Sequence, residues 1–158
     1  MYKLFTLCFL LILSLAKAQT FKEKIADTDS LADNGSKLIT WSIKFYFVSD
    51  SIVTDESNAY INSLADFLKT NDVSIEIGVH SMPKGSDVFN NNLTVKRAKK
   101  ISEILISKGI EPKRLTAKGF GKTKPIFVAK PTGKKCSHCN DELERKNLRV
   151  EFKIIKPY

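Results

Sequence analysis

The chain has 158 residues, of which 42% are hydrophobic and 27% charged, and its formal net charge is +9. This length allows one domain with a real core, and the positive charge favours a polyanionic partner or a merely solvated basic surface. Beyond the amino terminus, no apolar stretch is long enough to cross a membrane, which excludes an integral membrane segment in the mature chain.

The amino terminus predicts export. Lys3 precedes an almost uninterrupted apolar run over residues 4–15, and Ala16-Lys17-Ala18 forms a cleavage site of the A-x-A type. We expect residues 1–18 to be a signal peptide, and the alternative is a retained membrane anchor, although a span needs about 20 apolar residues. Cleavage would remove two of the 26 basic residues, leaving 24 against 17 acidic ones, a charge of +7.

The mature chain then keeps two cysteines, Cys136 and Cys139. An even number of cysteines in an exported chain favours one disulfide bond. A C-x2-C pair can also be half of a zinc site, but zinc takes four ligands and no second pair exists. We therefore expect a disulfide, no metal and no cofactor.

Two periods of apolar residues alternate along the mature chain. Residues 19–38 are polar and predict a leader or linker with little order, so the domain is expected over 39–158. In chain order the predicted elements are a strand over 41–48, a helix capped by Thr54 or Asp55, a strand over 73–79, a helix over about 90–108 that Gly109 ends, a strand from 115, a helical turn at 141–146 and a strand over 150–154.

These elements predict a fold. Right-handed crossovers put both main helices on one face of a single sheet, and the alternation within the strands leaves the other face wet. The predicted class is α+β. It is a two-layer α/β sandwich, β-α-β-α-β-(α)-β, with two main helices packed on one face of a four-stranded sheet.

One residue of the second helix breaks the apolar pattern. On a helical wheel Arg97 falls inside the sector of Ala98, Ile101, Ile104 and Leu105. A guanidinium there must be paired or reach solvent, and its planar fork matches a carboxylate. Arg97 is therefore either an anchor for an anionic ligand or part of an internal salt bridge, with Asp87 or Asp50 as candidates.

Several segments carry motifs in a fixed order. They are the strand and turn over 45–54, Asn90 with Asn92-Leu93-Thr94-Val95-Lys96-Arg97-Ala98, the helix exit over 108–115, Ala117-Lys118-Gly119-Phe120-Gly121 with Lys124-Pro125-Ile126, and Asn147-Leu148-Arg149-Val150-Glu151. Together they resemble the OmpA-like peptidoglycan-binding family over about residues 43–154. The resemblance implies a periplasmic envelope module that binds the diaminopimelate residue of peptidoglycan. The cysteine loop is similar to the disulfide-stapled variant of Bacteroidetes-type members.

The resemblance also implies a site. Arg97 matches the residue that holds a ligand carboxylate, and the residues expected to bind ligand are Arg97, Asp50, Ser81, Met82, Leu93 and Arg149. The family's loop has an Asp that pairs the ligand ammonium, whereas this chain has Met82 there. A thioether cannot replace a carboxylate opposite an ammonium group.

We therefore expect a non-catalytic module that binds peptidoglycan through Arg97. The alternative is an OmpA-like scaffold that has lost the family ligand and binds another envelope protein. No residue is expected to be catalytic, because no G-x-S-x-G elbow and no acid–base carboxylate pair stands out, and nucleic acid is not an expected partner. His80 is expected to be a structural hydrogen-bonding residue at a strand end. The expected location is the periplasm, with outer-membrane association as a further expectation.

Overall fold

Five strands form one mixed sheet in the part of the protein that this computed structural model describes, which is residues 30–33, 37–46, 49–52, 54–127 and 144–157. The elements are β1 (Ser30–Asp33), β2 (Lys37–Thr40), α1 (Asp55–Thr70), β3 (Val73–His80), α2 (Asp87–Ser107), a 3-10 turn (Pro112–Arg114), β4 (Leu115–Gly121) and β5 (Val150–Pro157). The strands lie in the order β1-β2-β5-β3-β4.

Both helices cover the same face of this sheet. β4 is parallel to β3, and β5 runs antiparallel between β3 and β2. Strands β2 and β3 are therefore parallel, and the crossovers through α1 and α2 move across the sheet in the same direction, which puts both helices on one side. This confirms the predicted α+β sandwich, with β1 added at its edge as a fifth strand.

The core lies between the helices and the sheet. Ile61, Leu64 and Leu68 of α1 and Ala98, Ile101 and Leu105 of α2 pack on Ile75, Ile77, Val79, Val150 and Phe152 of the strands. The alternate residues of the same strands are polar, among them Glu76 and Glu151, and they lie on the face without helices. We call this second surface the open face of the sheet.

Local signals define the ends of the helices. Thr54 caps α1 by accepting a hydrogen bond from Ser57 N at 3.1 Å, as predicted. Helix α2 begins three residues earlier than predicted, because Ser86 caps it by accepting from Phe89 N at 3.2 Å. Gly109 follows with a φ of 92°, the left-handed conformation that was expected after this helix.

The first predicted strand does not form over residues 41–46, the described part of its range. Strand β2 ends at Thr40, and Phe45 makes only an isolated bridge with Ile52. Ser42 N donates to Thr40 Oγ1 at 3.1 Å and Lys44 N donates to Ser57 Oγ at 2.9 Å. Ile43 and Phe45 are more buried than Lys44 and Tyr46, as the alternation suggests, but a strand also needs a partner for its backbone groups.

The sheet also begins before residue 39. Strand β1 and the first half of β2 fall within 19–38, and Leu38 pairs with Phe152 of β5. The expectation of little order is therefore wrong for this part of the predicted leader. The predicted signal peptide and both cysteines lie outside the described residues. In the described part of the chain, neither helix has the length and apolar character needed to span a membrane.

Candidate functional site

The amino-terminal half of α2 buries polar side chains where its other half buries apolar ones. Asn90, Thr94 and Arg97 are each at most 5% exposed, and they occupy the stripe that continues as Ala98 and Ile101. Spacings of three and four residues put all of them on one side of the helix. Arg97, the residue that breaks the apolar pattern of the helix, is therefore the last of three buried polar side chains in this row.

Arg97 uses this position to hold the turn before α1. Its Nε donates to Ser49 O at 2.9 Å and its Nη2 donates to Tyr46 O at 3.1 Å. The guanidinium carbon also lies 4.8 Å from the centroid of the Phe45 ring, a cation–π distance. The side chain thus links α2 to Phe45, Tyr46 and Ser49 and has a defined orientation.

The guanidinium has no carboxylate partner within 4.0 Å among the described residues. Burial lowers the pKa of Arg97, and the nearby charge of Asp50 raises it. Asp87, the other candidate for an internal salt bridge, instead pairs with Lys122 at 3.1 Å. The structure therefore contains neither of the two ion pairs that the sequence allowed, and Nη1 of Arg97 donates no hydrogen bond to the described residues.

The loop between β3 and α2 is held from both sides. Asn90 Nδ2 donates to Lys84 O at 2.6 Å and to Ser86 O at 2.9 Å, and Lys122 Nζ donates to Gly85 O at 2.8 Å. Gly85 has a φ of 84°, which favours glycine. The loop conformation is thus fixed by α2 and by the residue after β4.

Two further expected site residues, Ser81 and Met82, belong to this loop. Ser81 is buried, its N–H donates to Gly121 O at 2.8 Å, and its Oγ has no hydrogen-bond partner in the structure. Met82 and Leu93 are half-buried, and Leu93 is one turn before Arg97 on α2. No hydrogen bond or ion pair connects Arg97 with Ser81 or Met82, all three of which are described.

Thr94 determines how closely α2 approaches β4. Its hydroxyl accepts from Gly121 N at 3.0 Å and donates to Asn90 O at 2.9 Å. A Cβ on Gly119 would lie 2.3 Å from Val95 N, so only glycine allows this contact. The close contact places the start of α2, and with it Arg97, against the sheet.

Arg149 belongs to a different cluster. Its Nη2 lies 2.7 Å from Glu151 Oε1 and its Nε donates to the same oxygen at 2.8 Å, while Nη1 and Nη2 donate to the carbonyls of Asn147 and Lys124. Burial raises the pKa of Glu151, but His80 and Arg149 together lower it to about 2. Within the structure the guanidinium of Arg149 is therefore paired with the carboxylate of Glu151.

His80 lies at the end of β3, as expected, but its ring makes no hydrogen bond of good geometry. Both ring nitrogens are buried, and the polar contact of Nε2 is a long one of 3.5 Å to Glu151 Oε1. The ring stacks on Phe120 with centroids 4.8 Å apart. Burial lowers the pKa of His80 against the opposing effect of Glu151, which favours the neutral imidazole.

Sequence reasoning missed how these residues are grouped. Arg149 directly precedes β5 and Glu151 lies two residues later, so in extended backbone their side chains share a face, and this spacing could have predicted their ion pair. The stacking of His80 on Phe120 had no sequence signal, because it depends on the register of β3 against β4. Within the described ranges, no three residues with metal-binding side chains come together.

The chain is similar to several known proteins. The profile of the OmpA family matches residues 45–137. Outer membrane porin F of Pseudomonas fluorescens is 32% identical over 85 residues, which are 53% of this chain and 26% of the porin. The chain therefore spans about a quarter of that relative's length.

Solved structures share the fold. A MotB-like protein from Desulfovibrio vulgaris has a TM-score of 0.65 at 22% identity, covering 90% of this chain and 88% of its own. The peptidoglycan-associated lipoprotein of Burkholderia pseudomallei has a TM-score of 0.60 at 21% identity, covering 76% and 90%. Since the family profile matches more than half of the residues, this chain belongs to the OmpA family.

Proposed function

We propose that this protein is a non-catalytic module of the cell envelope that binds peptidoglycan through Arg97. One relative of the same fold is described as peptidoglycan-associated. The observation that carries the proposal is the guanidinium of Arg97, which two backbone carbonyls orient and which no carboxylate of the described residues neutralises within 4.0 Å. An oriented and unpaired guanidinium is a suitable donor to a ligand carboxylate.

The ligand class follows from the charge and from the family. Diaminopimelate in a peptidoglycan stem offers a carboxylate and an ammonium group on one side chain. Arg97 would bind the carboxylate. We propose Asp50 for the ammonium, because Met82 cannot accept it and Asp87 is occupied by Lys122 at 3.1 Å. Asp50 is half-buried and directly follows Ser49, whose carbonyl binds Arg97.

Export to the periplasm is part of this proposal. Assembled peptidoglycan lies in the envelope, and residues 1–18 have the pattern of a signal peptide. A disulfide between Cys136 and Cys139 would suit that compartment.

The proposal is tested by co-sedimentation with purified sacculi that contain diaminopimelate. The wild-type chain should pellet with them at low salt. Asp50→Asn should reduce the pelleted fraction, whereas Asp87→Asn, the matched control whose carboxylate already binds Lys122, should not. Failure of the wild type to pellet at low salt would overturn the proposal.

Arg97→Met is a second variant, but it also removes two hydrogen bonds of the fold. The fraction of this variant that pellets with sacculi is therefore compared with that of the wild type only after thermal unfolding has shown that the variant is folded. Met82→Asp avoids this difficulty because it adds a carboxylate at a half-buried position, and it should strengthen retention.

A second candidate function is binding to another envelope protein. It is favoured by two exposed apolar side chains at the start of α2, Val88 at 72% and Phe89 at 46%. Large exposed apolar side chains suit a protein contact, and so does an adaptable Met such as Met82. If sacculi retain only the Met82→Asp variant, the natural chain has lost the family ligand and this second function is supported.

A further inference from the structure

A cavity lies on the open face of the sheet, away from the helices. It has a volume of about 340 Å³, which is the lower end of the range for small-molecule sites. Its lining includes Gly78, over which the ring of Phe120 packs, so that a Cβ there would lie 2.9 Å from Phe120 Cε2. Pro125 and Ile126 form part of its wall.

The charges around this cavity do not balance. Its lining has four cationic residues, Lys37, Lys124, Arg149 and Lys153, against the carboxylates of Glu76 and Glu151. Glu151 already binds Lys37 at 3.3 Å and Arg149 at 2.7 Å, and Glu76 binds Lys118 at 2.6 Å. Among the described residues, Lys124 and Lys153 have no carboxylate partner.

The cavity also contains a buried polar side chain whose hydrogen bonding is incomplete. His80 is 2% exposed and lines the cavity; its Nε2 lies 3.5 Å from Glu151 Oε1, and neither ring nitrogen makes a hydrogen bond of good geometry. Leaving such a group unsatisfied is costly, so each case needs an explanation. A ligand atom that accepts from the imidazole N–H would provide one.

Lys124 connects these features. Its ammonium lies 4.2 Å from the centroid of the Phe120 ring, and His80 stacks on the same ring. The cation is therefore held at the cavity by an aromatic ring and not by a carboxylate, which leaves its donors available to an anion.

We propose that this cavity is a binding site for the oxyanion group, carboxylate or phosphate, of a small ligand. Lys124 and Lys153 supply the charge, and neutral His80 donates one hydrogen bond. The site is independent of Arg97, which lies on the helix side of the sheet and is not part of this lining.

The test follows the ring signals of His80 by NMR in the full chain. Inorganic phosphate and acetate are titrated separately at constant ionic strength, with glucose as a neutral probe. We expect a saturable shift of the His80 signals with at least one anion and none with glucose. The anion that saturates at the lower concentration identifies the preferred group.

Variants define the contacts. Lys124→Gln and Lys153→Gln should each weaken the response about two- to fivefold, the range for one exposed cation. The matched control is Lys99→Gln, an exposed lysine on α2 on the other side of the molecule, which should change nothing. Asp87→Asn, the variant with unchanged sacculus retention, should also keep this response, because Asp87 is not part of the lining of this cavity.

Three results would overturn this proposal: shifts that do not saturate with either anion, an equal shift with glucose, or an equal loss in Lys99→Gln. Because both substituted lysines of the site are exposed, the folded state should tolerate their replacement.

Discussion

Arg97 has a structural task and a proposed binding task at the same time. Two of its nitrogens hold the carbonyls of Ser49 and Tyr46, and Nη1 donates to no described residue. An arginine can do both because its five N–H donors point in fixed directions in one plane. A lysine has a single ammonium group, which cannot reach two carbonyls and a ligand with the same geometry.

Arg97→Lys should therefore lower the free energy of unfolding by about 1–2 kcal/mol, because at least one buried carbonyl loses its donor. Urea unfolding measures this. Lys96→Arg, at the exposed neighbouring position, is the control and should stay within about 0.5 kcal/mol. Equal stability of the two variants would mean that Arg97 does not hold the turn.

His80 should make the stability depend on pH. Burial lowers its pKa from 6.5 despite Glu151, with Arg149 and Lys124 also lowering it. The unfolded chain then binds a proton at a pH where the folded chain does not, so stability is full above pH 6.5 and falls as the pH drops below it. His80→Phe, which keeps an aromatic ring on Phe120, should flatten the decline between about pH 7 and pH 5 in urea unfolding. An unchanged slope would contradict this.

Glu151 affects the stability of the fold at lower pH than His80 does. Its pKa is lowered from 4.5 to about 2, so its contribution is present above pH 4.5 and is lost as the pH falls towards 2. The two groups together predict a protein that acid destabilises in two stages.

At the scale of elements, the sequence predicted both helices, including the start of α1 and the end of α2, because these features depend on residues that are close together in the chain. The helical spacing, Thr54 as a cap, Gly109 after α2 and the position of Arg97 on the buried side are all confirmed. The predicted strand does not form over 41–46, its described part, because the side chains of Thr40 and Ser57 accept from Ser42 N and Lys44 N, and side-chain partners of this kind leave no mark on periodicity.

The site was predictable to a similar extent. The wheel marked Arg97 as unusual, but only the fold could tell that backbone carbonyls bind it and that Asp87 is occupied by Lys122. The cluster of His80, Phe120 and Glu151 needs the register of three strands, which turn lengths and side-chain types did not reveal.

The close contact between α2 and β4 should not tolerate a side chain at position 119. Gly119→Ala should cost about 3 kcal/mol, because its Cβ would overlap the backbone at Val95 and Thr94. Gly109→Ala is the comparison, since there the added Cβ meets nothing and only the φ of 92° is strained, at about 1–2 kcal/mol. Thermal or urea unfolding that ranks Gly109→Ala as the more damaging change would contradict the close packing.

At the scale of the whole molecule, charge should control association with the wall. The chain has a net charge of +9, and peptidoglycan stems carry carboxylates. The fraction that pellets with sacculi should therefore decrease between about 0.05 M and 0.3 M salt, since the screening length at 0.1 M is about 10 Å. Retention that is independent of salt would indicate that apolar contacts, such as those of Val88 and Phe89, carry the binding.

The central claim is that Arg97 binds a carboxylate which diaminopimelate has and lysine lacks. The most direct measurement is a calorimetric titration of the full chain with two stem peptides that differ only at this residue. We predict that the diaminopimelate peptide binds at least about tenfold more tightly, because losing a charge-assisted contact costs more than 1.4 kcal/mol. Equal affinities for the two peptides, or no binding of either, would contradict the account.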